Sequence, residues 1–174
     1  MGLWDYFTPD DILPDVYAVT PTKCAEAGVR AVVFDIDNTL APYEVPEPDE
    51  KLAAFLHSFS EAGIRVALVS NNKPERVERF NRALGLFAQA DAHKPNKGAL
   101  SSVLAYFAPL SGREILFVGD QLFTDVLTAR KNGIRAVTVP PIQPRENFFF
   151  RCKRALEKPF VRRFYRLRAK QTKS

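Results

Sequence analysis

From Ala31 to Phe34 the chain carries four apolar residues in a row with no polar alternation, then meets Asp35 and Asp37. An unbroken apolar run of this length reads as a strand buried on both faces, spanning about 30–36. Around it, apolar spacing predicts a regular alternation. Thr20 is placed to cap a short helix from Pro21 to Gly28. Residues 41–48, with Pro42, Pro46 and Pro48, cannot be helix interior. Apolar positions at 52, 55, 56 and 59 give a helix over Asp49–Ala62, closed by Gly63. A buried strand over Ile64–Ser70 and a helix over Pro74–Leu84 follow. Next come a short strand over Phe87–Ala92 and a helix over Pro95–Phe107. A strand over Glu114–Val118, a helix over Leu122–Asn132 and a strand over Ile134–Val139 complete the series. Residues 1–19, broken by Pro9 and Pro14, are expected to wrap the domain.

Strand and helix in strict alternation imply an α/β fold: one doubly wound parallel sheet of five or so strands, joined by right-handed crossovers. In such sheets ligands bind beyond the carboxyl ends of the strands. Four predicted strands end in polar clusters: Asp35/Asp37, Ser70/Asn71, His93/Lys94 and Asp120/Asp125. All four then lie on one edge. A fully buried carboxylate without a partner is costly, so something positive belongs in that crevice. Three carboxylates suit a hard cation with oxygen ligands, Mg²⁺ foremost. A lysine and a small hydroxyl beside them suit an anion. Together these are the parts of a phosphoryl site, where positioning and charge neutralisation carry the reaction. Asp35 is then a candidate nucleophile and Asp37 a candidate general acid/base. Gly119 allows close approach of the backbone.

Composition narrows the picture. The 174 residues are 46% hydrophobic and 26% charged, enough for one soluble domain with a proper core. The net charge of +5 is unevenly spread: basic residues outnumber acidic ones 11 to 2 from Arg145 onward and are outnumbered 14 to 18 before it. The chain therefore divides into a mildly acidic domain, 1–144, that carries the phosphoryl site, and a basic tail, 145–174. In the tail, apolar residues at 149, 152, 156, 160, 164 and 167 recur at helical spacing among Lys and Arg, and Pro159 is expected to break the segment into two helices. Such a segment suits an anionic membrane surface. A helix packed on the domain is the alternative, and nucleic acid is disfavoured because no recognition motif accompanies the charge. Two cysteines make no disulfide framework, and no apolar run reaches the length of a membrane span. The expected location is the cytoplasm, with peripheral attachment to the inner face of the membrane. Nothing in the sequence specifies an oligomeric state.

Asp35-Ile36-Asp37-Asn38-Thr39, Ser70, Lys94 and Gly119-Asp120 with Asp125 resemble, in order, the four motifs of the haloacid dehalogenase superfamily, over roughly residues 29–140. The resemblance implies Asp35 as nucleophile and Mg²⁺ ligand. It implies Asp37 as general acid/base, with its backbone carbonyl on the metal. Thr39 would brace the loop. Ser70, with Asn71 beside it, would bind the phosphoryl oxygens, and Lys94 would neutralise nucleophile and phosphate. Asp120 would ligate Mg²⁺, and Asp125 would do so directly or through water. An Asp at position 37 is what the phosphatases of the superfamily carry. Asp37-Asn38-Thr39-Leu40, Ser70-Asn71-Asn72 and Gly119-Asp120-Gln121 with Thr124-Asp125 look more narrowly like subfamily IIIA. Within it the chain is similar to the YqeG-type bacterial proteins, relatives of the mitochondrial phosphatidylglycerophosphate phosphatases. The gaps of 34 residues between Asp35 and Ser70 and 23 between Ser70 and Lys94 leave no room for a cap domain. An open site suits a large or surface-borne phosphate ester, a phospholipid head group such as phosphatidylglycerophosphate. A soluble ester (nucleotide or phosphosugar) and a non-catalytic phosphoacceptor module akin to a response-regulator receiver stand as the other readings.

Other residues imitate chemistry. Cys24-x5-Arg30 has the spacing of cysteine phosphatases, but Cys24 falls in a predicted helix and Glu26 would repel an anion. His93 reads as a neighbour of the site, Lys97 as a competitor for the anion role that Lys94 fits better at the strand end, Lys73 as a solvated loop lysine, and Cys152 as a small apolar residue of the tail.

Overall fold

Every residue of the central strand β2 (Ala31–Asp35) is buried, as an unalternating apolar run demands. The computed structural model describes residues 2–143 and 148–171; the side chains of residue 3, residues 148–154 and residues 170–171 are outside that description, and with them the readings of Phe149 and Cys152. The proposed boundary at 144/145 also falls outside the described residues.

After β1 (Asp11–Ile12) and α1 (Pro21–Glu26), the chain runs β2, α2 (Glu50–Glu61), β3 (Arg65–Val69), α3 (Pro74–Asn81) and β4 (Phe87–Gln89). It continues through α4 (Ser101–Phe107), β5 (Ile115–Gly119), a widened turn at Leu122–Val126 that leads into α5 (Leu127–Lys131), β6 (Arg135–Thr138) and α6 (Phe148–Gln171). The six strands form one sheet in the order β1-β6-β5-β2-β3-β4, and every pairing is parallel. The expected α/β architecture is therefore present, with one more strand than the apolar pattern predicts. β1 is two residues long, between Pro9 and Pro14. It joins the edge through Asp10 N–H to Ala136 O (2.7 Å) and Leu13 N–H to Thr138 O (3.0 Å). A strand this short has no periodicity to read.

The pleat of β2 divides the core. Val32 and Phe34 face α1, α2 and α3, packing with Cys24, Leu52, Leu56, Phe59, Val77 and Phe80. Ala31 and Val33 face the other side with Leu100, Val103, Phe107, Val126 and Ala129. Successive strands leave β2 in one direction toward β4. The chain then crosses back to β5 on the other side of β2, so the direction reverses at β2, the place where such sheets open a crevice. Between β2 and β3 there is only a loop and α2, and no separate domain is inserted over that edge.

Three helix expectations change. The helix predicted from Pro95 begins at Ser101; residues 95–100 instead make successive turns, Asn96 N–H to His93 O, Ala99 N–H to Asn96 O and Ser101 N–H to Gly98 O. The helix predicted from Leu122 opens with the widened turn, an arrangement frequent at functional sites. The tail is one helix with Pro159 inside it, not two. Pro159 lies on the exposed side, where helix hydrogen bonds lengthen at least penalty. Packing also holds the helix on both sides of the proline. Glu157 and Phe164 are buried, and Phe160 lies against Trp4 and Phe7, ring centroids 4.7 and 5.1 Å apart. Arg168 pairs with Asp11 of the edge strand. Of the described stripe residues, Phe160 and Phe164 are thus turned onto the domain, while Leu156 stays 64% and Leu167 42% exposed.

This division is open to measurement. Phe164→Ala should lower unfolding free energy by about 3 kcal/mol, the lower range for a buried Phe, and Leu156→Ala by less than about 0.5 kcal/mol, as chemical denaturation with unchanged m-value would show. Equal, small effects would mean that α6 is not docked.

Candidate active site

The residues that end the central strands converge as the parallel topology requires. Asp35 closes β2, between β5 and β3, so Asp120 lies on one flank and Ser70 on the other. Asp35 Oδ1 accepts from Lys94 Nζ at 2.6 Å, and Asp35 Oδ2 accepts from Thr39 Oγ1 at 2.9 Å. Lys94 also donates to Asp125 Oδ1 at 2.8 Å. Asp125 Oδ2 accepts from the Gln121 backbone N–H at 3.0 Å, and Gln121 Nε2 donates to Asp120 Oδ1 at 3.2 Å. All of Asp35, Asp120, Asp125 and Lys94 are buried.

Gly119 has a steric reason. A Cβ there would stand 2.5 Å from Cβ, Cγ and Oδ2 of Asp125, so any side chain would displace that carboxylate. Asn38, at φ 67°, turns the chain after β2, a conformation asparagine tolerates. That turn brings Thr39 back under Asp35.

Asp37 is held separately. Its Oδ2 accepts from Ser70 Oγ at 2.7 Å and from Asn72 Nδ2 at 3.5 Å, and Ser70 Oγ in turn accepts from the Asn72 N–H at 2.9 Å. Arg76 Nη2 stands 3.5 Å from Asp37 Oδ1, an ion pair without hydrogen-bond geometry. The same guanidinium donates to the carbonyls of Pro46 (3.3 Å) and Pro42 (3.5 Å), tying the proline-rich loop to the site. The sequence reading missed Arg76. It lies on α3 among other charged residues, and its spacing carries no signal. Asn71, grouped with the phosphate ligands, has its side chain engaged otherwise: Nδ2 donates to Lys94 O at 3.0 Å and Oδ1 accepts from Lys94 N–H at 2.7 Å. It braces the main chain of Lys94.

The look-alike residues stand apart. Cys24 is buried in α1, and burial pushes its thiol up to about 11, the wrong direction for a nucleophile. His93, Lys97 and Lys73 are exposed.

Burial pushes the Asp35 carboxyl up to about 8; Lys94 opposes the rise, and Asp125 and Asp120 add to it. Burial works against the charge on Lys94, but Asp125 and Asp35 outweigh it and hold the amine protonated. Among the described residues, three buried carboxylates cluster about one buried ammonium. Carboxylate oxygens of Asp35, Asp120 and Asp125 come within 4.8 Å of one another, with no histidine or cysteine among them. The donor set fits a hard divalent cation.

These residues can be set beside known proteins. The profile of the mitochondrial PGP phosphatase family matches residues 7–142, a stretch that contains every residue of the cluster. The chain belongs to this family. It is a phosphatase, a hydrolase of phosphoric monoesters. Over 153 residues it is 32% identical to Probable phosphatase YqeG of Bacillus subtilis (strain 168), covering 88% of each chain. It is 28% identical over 149 residues to phosphatidylglycerophosphate phosphatase 1, chloroplastic/mitochondrial, of Arabidopsis thaliana, covering 80% of this chain and 42% of the plant protein. The fold is shared with the cobalt-bound deoxy-D-mannose-octulosonate 8-phosphate phosphatase of Haemophilus influenzae, with a TM-score of 0.52, 14% identity and coverage of 65% of this chain and 69% of that one. The PGP phosphatase profile ends before α6, so the basic helix lies beyond the matched region.

The raised Asp35 carboxyl has a consequence for stability. Asp35 holds a proton more tightly folded, near 8, than unfolded, near 3.8. Between those values the native state binds the extra proton, so metal-free stability should fall as pH rises from about 4 to about 8. In chelator, melting temperature is expected to decline across this range, and Asp35→Asn should flatten the decline. An unchanged profile in that variant would remove Asp35 as its source.

Proposed function

We propose that the chain is a Mg²⁺-dependent phosphomonoesterase that works through an aspartyl-phosphate on Asp35, with the phosphatidylglycerophosphate head group as substrate. The observation that carries the chemistry is the pair of carboxylates held two residues apart in different surroundings. Asp35 is fixed by Lys94 and Thr39 among the acids, and Asp37 by Ser70 beside the proline-rich loop. Groups so separated suit two roles.

In the first step a carboxylate oxygen of Asp35 bonds to phosphorus as the bond to the ester oxygen breaks, and Asp37 gives its proton to the departing alkoxide. In the second step Asp37, now a carboxylate, takes a proton from water. The oxygen of that water bonds to phosphorus, and the bond to Asp35 breaks, releasing phosphate and restoring both acids. Lys94 offsets charge on Asp35 and on the transferring group, and the Ser70 hydroxyl can turn from Asp37 to a phosphoryl oxygen. Thr39 keeps Asp35 in line. Asp35, Asp120 and Asp125 would hold Mg²⁺, with the Asp37 backbone carbonyl completing the protein ligands. The cation supplies charge neutralisation and orientation of the phosphoryl oxygens.

The lipid reading rests on the family match, on the uncovered edge and on α6. The outward side of α6 presents Lys158, Arg162, Arg166 and Tyr165, all exposed. With Phe160 and Phe164 turned inward, attachment to a bilayer would be mainly electrostatic and peripheral, each basic residue contributing ~1 kcal/mol at low salt. No described helix is long and apolar enough to cross a membrane.

Phosphate release tests the chemistry. Asp35→Asn should abolish turnover, EDTA should stop the wild type, and Mg²⁺ should restore it. Asp37→Asn should lose ~10²–10⁴-fold on alkyl phosphates and less on aryl phosphates, whose leaving groups need less protonation. Near-normal turnover by Asp35→Asn would rule out the covalent route. For the substrate, replacing Lys158, Arg162 and Arg166 with Glu should release the chain from anionic vesicles and slow hydrolysis of phosphatidylglycerophosphate in them, leaving a soluble aryl phosphate unaffected. Equal losses on both substrates, or none, would favour a soluble ester.

A further inference from the structure

The turn Leu122–Val126 follows Asp120 and carries Asp125, so its shape fixes the distance between two of the three clustered acids. Helix α6 reaches this turn at two points, through residues more than thirty positions further along the chain. The Leu122 backbone N–H donates to Glu157 Oε1 at 3.0 Å, in a contact where Glu157 is only 3% exposed. Three residues on, the ring of Phe160 meets Phe123 nearly edge-on at 5.8 Å, and Phe7 packs on both rings at 5.1 Å. Positions i and i+3 of one helix face therefore grip two consecutive residues of the turn. From inside the site, Gln121 N–H donates to Asp125 Oδ2. A buried carboxylate is costly unless it is hydrogen-bonded, and one accepting a backbone N–H makes a strong bond. Glu157 is the wrong residue for a solvated basic tail and the right one for holding this turn.

We propose that Glu157 and Phe160 are positioning residues of the active site: α6 sets the geometry of the turn between Asp120 and Asp125, and through it the affinity for the divalent cation. The inference rests on the reading of Asp35, Asp120 and Asp125 as cation ligands. It also gives the described part of the basic helix a role in the site: without Glu157 and Phe160, Leu122 would lose its acceptor and Phe7 and Phe123 their aromatic neighbour.

The test uses full-length chains carrying Glu157→Ala, Glu157→Gln, Phe160→Leu and, as a control on the same helix, the exposed Leu156→Ala. Mn²⁺ binding is followed by electron paramagnetic resonance, hydrogen exchange is read at residues 122–125 in metal-free protein, and melts confirm folding. Glu157→Ala should bind Mn²⁺ ~10–100-fold more weakly, the usual loss when support behind a ligand is removed, and exchange faster at 122–125. Glu157→Gln keeps an oxygen acceptor and should stay within about threefold of wild type. Leu156→Ala should match wild type. A folded Glu157→Ala chain with wild-type Mn²⁺ affinity and unchanged exchange overturns the proposal. Should Glu157→Ala fail to fold, Phe160→Leu decides: weaker Mn²⁺ binding with faster exchange confined to the turn supports it, and wild-type behaviour overturns it. If wild-type protein binds no Mn²⁺, the cation reading fails, while exchange at 122–125 still decides whether α6 holds the turn.

Discussion

One buried ammonium holds the site together. Lys94 bridges Asp35 and Asp125, which reach it from the ends of different elements, and is itself fixed through its main chain by Asn71. Without a cation at that point, two carboxylates would face each other with water excluded, and the strand ends could not close on one another. The surrounding arrangement follows from this. Gly119 leaves room for Asp125, Thr39 occupies the second oxygen of Asp35, and Gln121 ties the other two acids. Among the described residues Lys94 is one buried ammonium amid three clustered carboxylates, a donor set that fits a divalent cation as well as a salt bridge.

The parallel sheet turns distant motifs into neighbours. Asp35, Ser70, Lys94 and Asp120 are spread over more than eighty residues, yet each follows a strand whose direction is fixed by pairing with the next. Because the winding reverses at β2, Asp35 has a partner strand on both sides and helices on both faces. Asp35 is therefore supported from both sides, while Asp37, two residues on, sits by the proline-rich loop and Arg76.

Much of this was legible from residue order. The apolar run at Ala31–Phe34 and polar residues after four strands give the sheet and its reactive edge, because buried parallel strands have a strong pattern and unpaired acids must face a crevice. What escaped has physical causes. β1 is too short for alternation and depends on its neighbour β6. The turns at 95–100 have helix-compatible residues but lack a regular ladder. Pro159 has a strong local preference that tertiary packing overrides. Arg76, Asn71 and Glu157 act through contacts of long sequence separation, and no local spacing encodes such pairings. The tail shows the limit best: its apolar spacing predicts helix, though in two pieces, but Phe160 could not be assigned to bilayer or protein until Trp4, Phe7 and Phe123 were seen beside it.

The aromatic knot of Trp4, Phe7, Phe123 and Phe160 draws together segments from near both ends of the described chain. Phe160 also packs against the cluster on the second face of β2, so opening the knot would disturb that packing as well. Local opening of this kind is governed by how few contacts must be broken. The order of the turn Leu122–Val126 is therefore tied, through Phe123 and Phe160, both to the first few described residues and to the core.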